Sequence, residues 1–265
     1  MRDTVSERIQ QFPQDMAMAQ RILLAIDDTD NLESRGTGHR ARLLARLLFE
    51  QGYARVRGIS RHQLFVHPDI RYTSHNSSLC LDLEWSGNSA LERLAEITHG
   101  FLAEHAAPGS DAAYAIMAYD EVGDDVVAYA LSAKDTVLNQ DIARDLAKRA
   151  GAVLAGVTGD EGGVIGALAA VGLRKTGNDG RFVWVEGVRE LTGVLTYEAL
   201  LGRTGIDAIK PFDGTGPVAH ERISVDPWPR PVLINHQAVL LVERAEETNA
   251  TCDWRLVPRE ITKRY

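Results

Sequence analysis

The chain of 265 residues is long enough for one large domain or two ordinary ones, and its formal net charge is −8. This acidic balance disfavours nucleic-acid binding unless the basic residues cluster on one face, and two cysteines are too few for a disulfide framework or a zinc ribbon. Because no apolar stretch is long enough to cross a bilayer and residues 1–20 lack an apolar signal core, we expect a cytoplasmic protein with no membrane partner.

The first half of the chain predicts the order strand, helix, strand, strand, helix, strand. A short apolar run at residues 21–26 meets polar turn chemistry at once, which is typical of a buried strand. The other predicted elements are helix 39–51, strand 55–66, strand 79–85, a helix opened by a Ser89–Glu92 capping box, and strand 112–119. This is the split, ferredoxin-like order of a two-layer α/β sandwich.

The second half predicts a further set of α/β elements. They are helix 132–150, strand 152–157, a small-residue helix 163–173, and strands 181–186, 232–242 and 254–257. With a plausible boundary in the glycine-led segment 123–130, we divide the chain into a polar extension 1–20, a first domain 21–128 and a second domain 129–265.

The end of the first strand carries three carboxylates within four positions. Asp27, Asp28 and Asp30 repel one another there, so they are costly unless a cation or hydrogen-bond donors compensate them. Magnesium is a hard cation that binds one or two carboxylates together with phosphate oxygens, and it is the cofactor that this pattern indicates. A turn whose aspartates cap the next helix is the structural alternative. The aspartyl phosphatase motif, Asp-x-Asp-x-Thr/Val after a strand, fits less well. Asp28 and Asp30 match it, but Leu32 stands where the motif has threonine or valine.

A glycine loop follows these aspartates directly. Gly36 and Gly38 let backbone N–H groups turn toward an anion, and the helix that begins there adds its positive end. Arg35, His39 and Arg40 add positive charge to the same segment. We therefore expect this loop to hold phosphate next to the metal.

A second glycine loop opens the helix at residue 163. Gly162, Gly163 and Gly166 let either a ligand or another helix approach closely, and the segment lacks the ending of a Walker loop. The sequence does not decide whether this loop contacts a ligand or only packs closely against another helix. The polar run at residues 73–78 is predicted to be a loop, either at a substrate site or on the solvated surface.

Three of these segments together resemble one family, the archaeal tRNA-isoleucine agmatinylcytidine synthetases. The matching segments are residues 26–30 with Gly36, residues 68–72 and residues 163–172, with a weaker match at residues 182–186. The resemblance implies a kinase-like domain of split βαβ order followed by a ferredoxin-like domain. It also implies an enzyme that uses ATP and magnesium, phosphorylates the base oxygen of a cytidine, and lets the amine agmatine displace the phosphate.

By this resemblance, Asp27, Asp28 and Asp30 hold magnesium and position ATP, and Gly162, Gly163 and Gly166 belong to the ferredoxin-like part. His39 stands where the family has a phosphorylated threonine, with Thr37 as a displaced alternative. The family's OB domain and zinc ribbon have no counterpart among these residues.

Three functional hypotheses follow. The first is an ATP- and magnesium-dependent kinase- or ligase-like enzyme that phosphorylates an oxygen of a small molecule, with Asp27, Asp28, His39 and Thr37 as catalytic residues. The second is a nucleotide- or partner-binding module without turnover. The third is a tRNA-modification enzyme that obtains its RNA-binding surface from a partner or a homodimer, with a basic stripe of Arg40, Arg42, Arg46, Arg55 and Arg57. Nucleic acid is not favoured as a partner.

Overall fold

The structure, a computed structural model, describes residues 19–73, 75–86, 90–245 and 251–265. Within this part of the chain, one compact unit ends at Thr176 and a second begins at Gly177. Residues 1–18 of the expected extension 1–20 lie outside the described residues, and so does Ser89 of the expected capping box. No helix in these ranges combines the length and apolarity that crossing a membrane requires.

The first unit is built on an antiparallel sheet. Its strands are β1 (Gln20–Asp27), β2 (Ala54–Gln63), β3 (Ser77–Trp85), β4 (Ala113–Ala118) and β5 (Val153–Gly156). They lie in the order β5-β4-β1-β3-β2, and each neighbouring pair is antiparallel. Its helices are α1 (Thr37–Glu50), α2 (Leu91–His105), α3 (Asp124–Ser132), α4 (Gln140–Ala150) and α5 (Val164–Thr176).

The central strand β1 is buried on both faces. Residues 22–26 have no exposed surface, and successive side chains point to opposite sides of a strand. Leu23 and Ala25 belong to the apolar cluster that α3, α4 and α5 complete on one face. The predicted order of strand, helix, strand, strand, helix, strand is present from β1 to β4.

The division of the chain differs from the expected one. Residues beyond 128 stay with the first unit because α5, whose residues from Gly166 to Arg174 are all buried, packs against the sheet. Gly172 lets α3 come close, since a methyl group there would lie 2.5 Å from Cβ of Ala130. The expected boundary segment 123–130 is therefore mostly helix α3. The kinase-like and ferredoxin-like labels of the two domains remain predictions.

The single helix predicted over residues 132–150 is wrong, since α3 and α4 are separate. Asn139 caps α4 by accepting a hydrogen bond from the backbone N–H of Ile142 at 3.0 Å, which fixes the start of that helix. Between them, residues 133–135 form a turn, and residues 137–139 have no regular secondary structure.

The second unit is rich in short strands. Its elements are β6 (Arg181–Trp184), β7 (Val194–Thr196), α6 (Tyr197–Arg203), β8 (Ala208–Pro211), β9 (Arg222–Ser224), β10 (Val232–Ile234), β11 (Gln237–Arg244), β12 (Trp254–Leu256) and α7 (Arg259–Thr262). The strands form the path β6-β10-β11-β12-β9-β7, with β8 parallel to β11.

The strand predicted over residues 232–242 is instead a hairpin. Asn235 and His236 have φ of 50° and 64°, which is the backbone of a two-residue turn between β10 and β11. The apolar residues on both sides of this polar pair had indicated one continuous strand.

Candidate active site

A cavity of about 190 Å³ lies at one edge of the first unit's sheet. Because neighbouring strands are antiparallel, the ends of β1, β2 and β5 and the starts of β3 and β4 meet there. Four connections therefore converge on one place, namely β1–α1, β2–β3, α2–β4 and β5–α5. All lining residues belong to this unit. The charged ones are Asp27, Asp28, Asp30, Asp69, Asp111 and Arg71.

The two aspartates at the end of β1 are electrostatically strained. Burial raises the pKa of Asp27 to about 8, and the charge of Asp28 contributes to the same rise. Burial likewise raises the pKa of Asp28 to about 6, with added repulsion from Asp111 and Asp30. Asp28 also has a positive φ of 48°, a left-handed backbone conformation that is uncommon for residues other than glycine and that aspartate tolerates better than most.

Asp30 is held by the first turn of α1. Thr37 Oγ1 donates to Asp30 Oδ1 at 2.8 Å, and Thr29 Oγ1 donates to Thr37 Oγ1 at 3.1 Å. Thr29 and Thr37 are both buried, and Thr37 lines the cavity with Asp30. A methyl group at Gly36 would lie 3.4 Å from Asp30 Oδ2, so the first glycine loop lies next to this carboxylate.

The second glycine loop lies against the aspartates as well. Gly162, Gly163 and Gly166 all line the cavity at the start of α5. A methyl group at Gly163 would lie 2.9 Å from the carbonyl oxygen of Asp27, and one at Gly166 would overlap the Asp27 carboxylate. Glycine is therefore required at both positions for the positive end of α5 to approach β1.

The basic residues of the first glycine loop lie elsewhere. Within the described part of the chain, the cavity lining does not include Arg35, Gly38, His39 or Arg40. Arg40 is buried, and its guanidinium donates to the carbonyl oxygens of Arg35 and, at 2.7 Å, of His105. Burial lowers the pKa of Arg40. In this position its contacts fasten the loop to α2.

The expected basic stripe is not continuous. Arg40 is buried, Arg46 pairs with Glu50 at 2.7 Å, and Arg57 pairs with Glu84 at 2.9 Å. Since carboxylates lie beside Arg46 and Arg57, these residues do not form an uninterrupted basic surface.

Asp111 is a cavity residue that sequence reasoning missed. Its Oδ1 accepts the backbone N–H of Asp160 at 2.7 Å, and its carbonyl oxygen accepts the N–H of Gly163 at 3.0 Å. The hydroxyl of Thr158 binds the residues on either side of Asp111. It donates to the carbonyl oxygen of Ser110 and accepts the backbone N–H of Ala112. A methyl group at Gly159, whose φ is 57°, would overlap Oδ1. The loop before α5 thus fixes this carboxylate.

Arg71 carries the positive charge of the cavity lining. It is the only arginine or lysine among the described lining residues, and it comes from the β2–β3 connection. Its guanidinium lies 2.7 Å from Asp160 and 3.5 Å from Asp111, and its side chain is 79% exposed. The hydrogen bond to Asp160 raises the pKa of Arg71.

The β2–β3 connection is anchored at both ends. Asn76 accepts the backbone N–H of Leu64 at 2.9 Å through its carbonyl oxygen, and Thr73 Oγ1 donates to the Asp30 carbonyl at 3.2 Å. The predicted polar loop at residues 73–78 therefore contributes to the cavity, and Thr73, His75, Asn76 and Ser77 line it. Its other wall is apolar, with Leu64, Ala133, Val137, Leu138 and Ile165.

The donor set fits a hard cation bound together with phosphate. Five aspartates face one arginine in the lining, and burial together with repulsion from neighbouring carboxylates raises the pKa values of Asp27 and Asp28. Among the described residues, no group of three or more His, Cys, Asp or Glu side chains converges as a ready metal cage. Magnesium needs only one or two carboxylates when phosphate oxygens and water complete its shell.

Comparisons with known proteins bear on the fold. No protein-family model and no curated protein sequence matches the chain. The crystal structure of TiaS in complex with an isoleucine tRNA and ATP matches 58% of this chain at 24% identity and a TM-score of 0.51. The complex of TiaS with the same tRNA, AMPCPP and agmatine matches the same share at 24% identity and a TM-score of 0.50. A tRNA fluorescent labeling enzyme matches 57% at 25% identity and a TM-score of 0.50.

The resemblance predicted from the sequence is confirmed at this level, because TiaS is an agmatidine synthetase of isoleucine tRNA. The matched part is 36% of each of these three solved chains, so this chain corresponds to about a third of them. The mixed α/β fold is shared over that part.

Proposed function

We propose that the protein is an ATP-dependent enzyme that modifies RNA, and that it activates an oxygen of a nucleotide base by phosphorylation. The observation that carries this proposal is the aspartate-lined cavity against the glycine-rich start of α5. A cluster of five aspartates with one arginine, beside a positive helix end and an apolar wall, suits a magnesium-bound nucleotide. Two of the fold neighbours are complexes of tRNA with ATP or AMPCPP, which supports the same class of reaction.

Asp27, Asp28 and Asp30 would hold magnesium, which when bound offsets the charge of the triphosphate. The backbone of Gly162, Gly163 and Gly166 leaves room for phosphate oxygens at the α5 end. Asp111, fixed by the loop before α5, adds a fourth carboxylate that faces Asp28. The apolar wall next to Ile165 provides a surface for a base.

Of the two residues proposed to carry a phosphoryl group, the geometry favours Thr37. It lines the cavity and already donates to Asp30, which is placed to take the hydroxyl proton as Thr37 Oγ1 bonds to the γ-phosphorus and ADP leaves. His39 lies two residues further along α1 and is outside the described lining. Arg35 and Arg40 would support the loop rather than neutralise charge at the phosphate.

A small-molecule acceptor is the second candidate. The net charge of −8 and the interrupted basic stripe oppose binding of a phosphate backbone by this chain alone. An RNA-modifying role then requires that a partner chain or a homodimer supply the basic surface. A nucleotide-binding module without turnover would keep ATP binding and lose phosphate release.

The test uses ATP labelled on the γ-phosphate, with magnesium, in the presence and absence of unmodified tRNA. RNA-dependent release of phosphate, abolished in Asp28→Asn, supports RNA modification. Release that depends on a small molecule and not on RNA selects the second candidate. Label retained on the protein is expected to be acid-stable if Thr37 carries it, and acid-labile if His39 does. Binding of ATP with no turnover under any of these conditions contradicts the enzyme proposal.

A further inference from the structure

Arg71 and Asp160 form an exposed ion pair next to the cavity, and the function proposed above gives neither residue a role. The two side chains are 79% and 72% exposed, and their atoms lie 2.7 Å apart. An exposed pair of this kind contributes little to stability, because water screens both charges. Because Arg71 lines the cavity, its guanidinium is within reach of a ligand bound there.

The two partners are held very differently. The backbone of Asp160 is fixed, since its N–H donates to Asp111 Oδ1 at 2.7 Å and its carbonyl oxygen accepts Gln140 Nε2 at 2.7 Å. The neighbouring Glu161 is tied to Arg144 at 2.5 Å. The guanidinium of Arg71 is instead at the end of a long side chain that extends from the β2–β3 connection. Asp111 is its second, more distant partner at 3.5 Å.

We propose that Arg71 binds the phosphates of the nucleotide, and that Asp160 holds this arginine at the rim until the nucleotide arrives. This inference rests on the proposed ATP site. Arg71 is the lining's one arginine or lysine within the described residues, so an incoming triphosphate has no other such partner there. A triphosphate carries more charge than one carboxylate and offers the planar guanidinium two oxygens at once. Asp160 thus competes with the ligand for Arg71.

This competition predicts effects of opposite sign at two residues in contact. Arg71→Ala removes a charge-assisted contact and weakens ATP binding about tenfold. Asp160→Asn keeps the shape and both backbone hydrogen bonds, removes only the competing charge, and tightens ATP binding about threefold. The double variant binds ATP as weakly as Arg71→Ala, because Asp160 acts only through Arg71.

The experiment is isothermal titration of ATP with saturating magnesium into the full-length wild type and these three variants. The matched control is the pair Arg93→Ala and Glu96→Gln on α2, an ion pair of 2.9 Å that is also exposed and lies outside the cavity. Both control variants are expected to bind like the wild type. Thermal unfolding of each variant confirms that it is folded.

Two results would overturn the inference while leaving the ATP site intact. One is unchanged affinity in Arg71→Ala. The other is weaker binding in Asp160→Asn, which would mean that Asp160 orients Arg71 for the ligand rather than competing with it. A wild type that binds no ATP overturns the proposed function and this inference together.

Discussion

The carboxylate of Asp27 lies directly against the backbone of Gly166, so closely that a methyl group at position 166 would overlap Oδ2. The contact joins the end of β1 to the first turn of α5. It also places Asp27, whose pKa is strongly raised, next to the positive end of a helix that is rich in glycine and alanine.

Gly166→Ala is therefore expected to damage the site. Overpacking of this kind costs about 1–3 kcal/mol of stability and should displace the Asp27 carboxylate, with loss of ATP binding. The matched control is Gly100→Ala in α2, where a methyl group would meet nothing within 4 Å. That substitution should stabilise the protein by about 0.5–1 kcal/mol. Chemical denaturation together with ATP titration measures both. A Gly166→Ala variant as stable and as active as the wild type would contradict the contact.

The metal-free protein should lose stability as the pH rises from about 4 to 8. The Asp27 carboxyl has a folded pKa of about 8 and an ordinary value of 3.8, so between these values the folded state holds a proton that the unfolded state has lost. Its contribution is complete below the unfolded pKa and is lost as the pH approaches 8, with a slope of at most about 1.4 kcal/mol per pH unit. Asp28 adds to the loss between 3.8 and about 6.

The measurement is thermal unfolding across this range, with and without magnesium. Magnesium should stabilise the protein more at high pH than at low pH, because it replaces the proton. Asp27→Asn should flatten the metal-free profile. An unchanged slope in that variant would assign the pH dependence to other groups.

Asp111→Asn should impair the site while leaving the fold intact. The amide oxygen can still accept the backbone N–H of Asp160, so the loop before α5 keeps its hydrogen bond and only the charge is lost. We expect magnesium-dependent ATP turnover to fall about 100-fold. Asp253→Asn is the control, because Asp253 accepts the backbone N–H of Arg222 at 2.7 Å in the second unit. Equal turnover in the two variants would exclude Asp111 from the chemistry.

Asp82 is expected to contribute to the free energy of unfolding and to have no direct role in ATP binding. It is fully buried, and it binds Arg21 at 2.7 Å and the buried Arg174 at 2.6 Å. Asp82→Ala leaves these cations without their shared carboxylate and is expected to cost about 3–5 kcal/mol. Glu84→Ala, two residues along β3 in more exposed ion pairs, should cost about 1 kcal/mol or less. Urea unfolding compares the two. Similar losses would contradict the importance of burial.

Local patterns in the sequence predicted the parts of the site that are contiguous in the chain. The apolar run before Asp27 and the glycines before α5 each mark a position that the structure brings to the cavity. Asp111 and Arg71 were not predicted as site residues, because each is a single charged residue in a loop, although Arg71 lies in the matching segment 68–72. Only the pairing of β1 with β4, which sets Asp27 opposite Ala113, brings Asp111 to the cavity.

The direction in which each side chain of the first glycine loop points could likewise not be predicted from the sequence. Arg40 and Thr37 lie on the same turn of α1, yet Thr37 faces the cavity and Arg40 turns toward the carbonyl oxygen of His105. The boundary expected after residue 128 differs from the one found after Thr176 for a related reason. The packing of α5 against the sheet joins residues that are distant in the chain, and no local sequence pattern indicates it.

Every residue that lines the cavity precedes Thr176, so none of the described lining is shared with the β-rich unit that begins at Gly177. In the course of evolution, a lineage can therefore exchange, lengthen or reshape the second unit without replacing any described residue of the cavity lining.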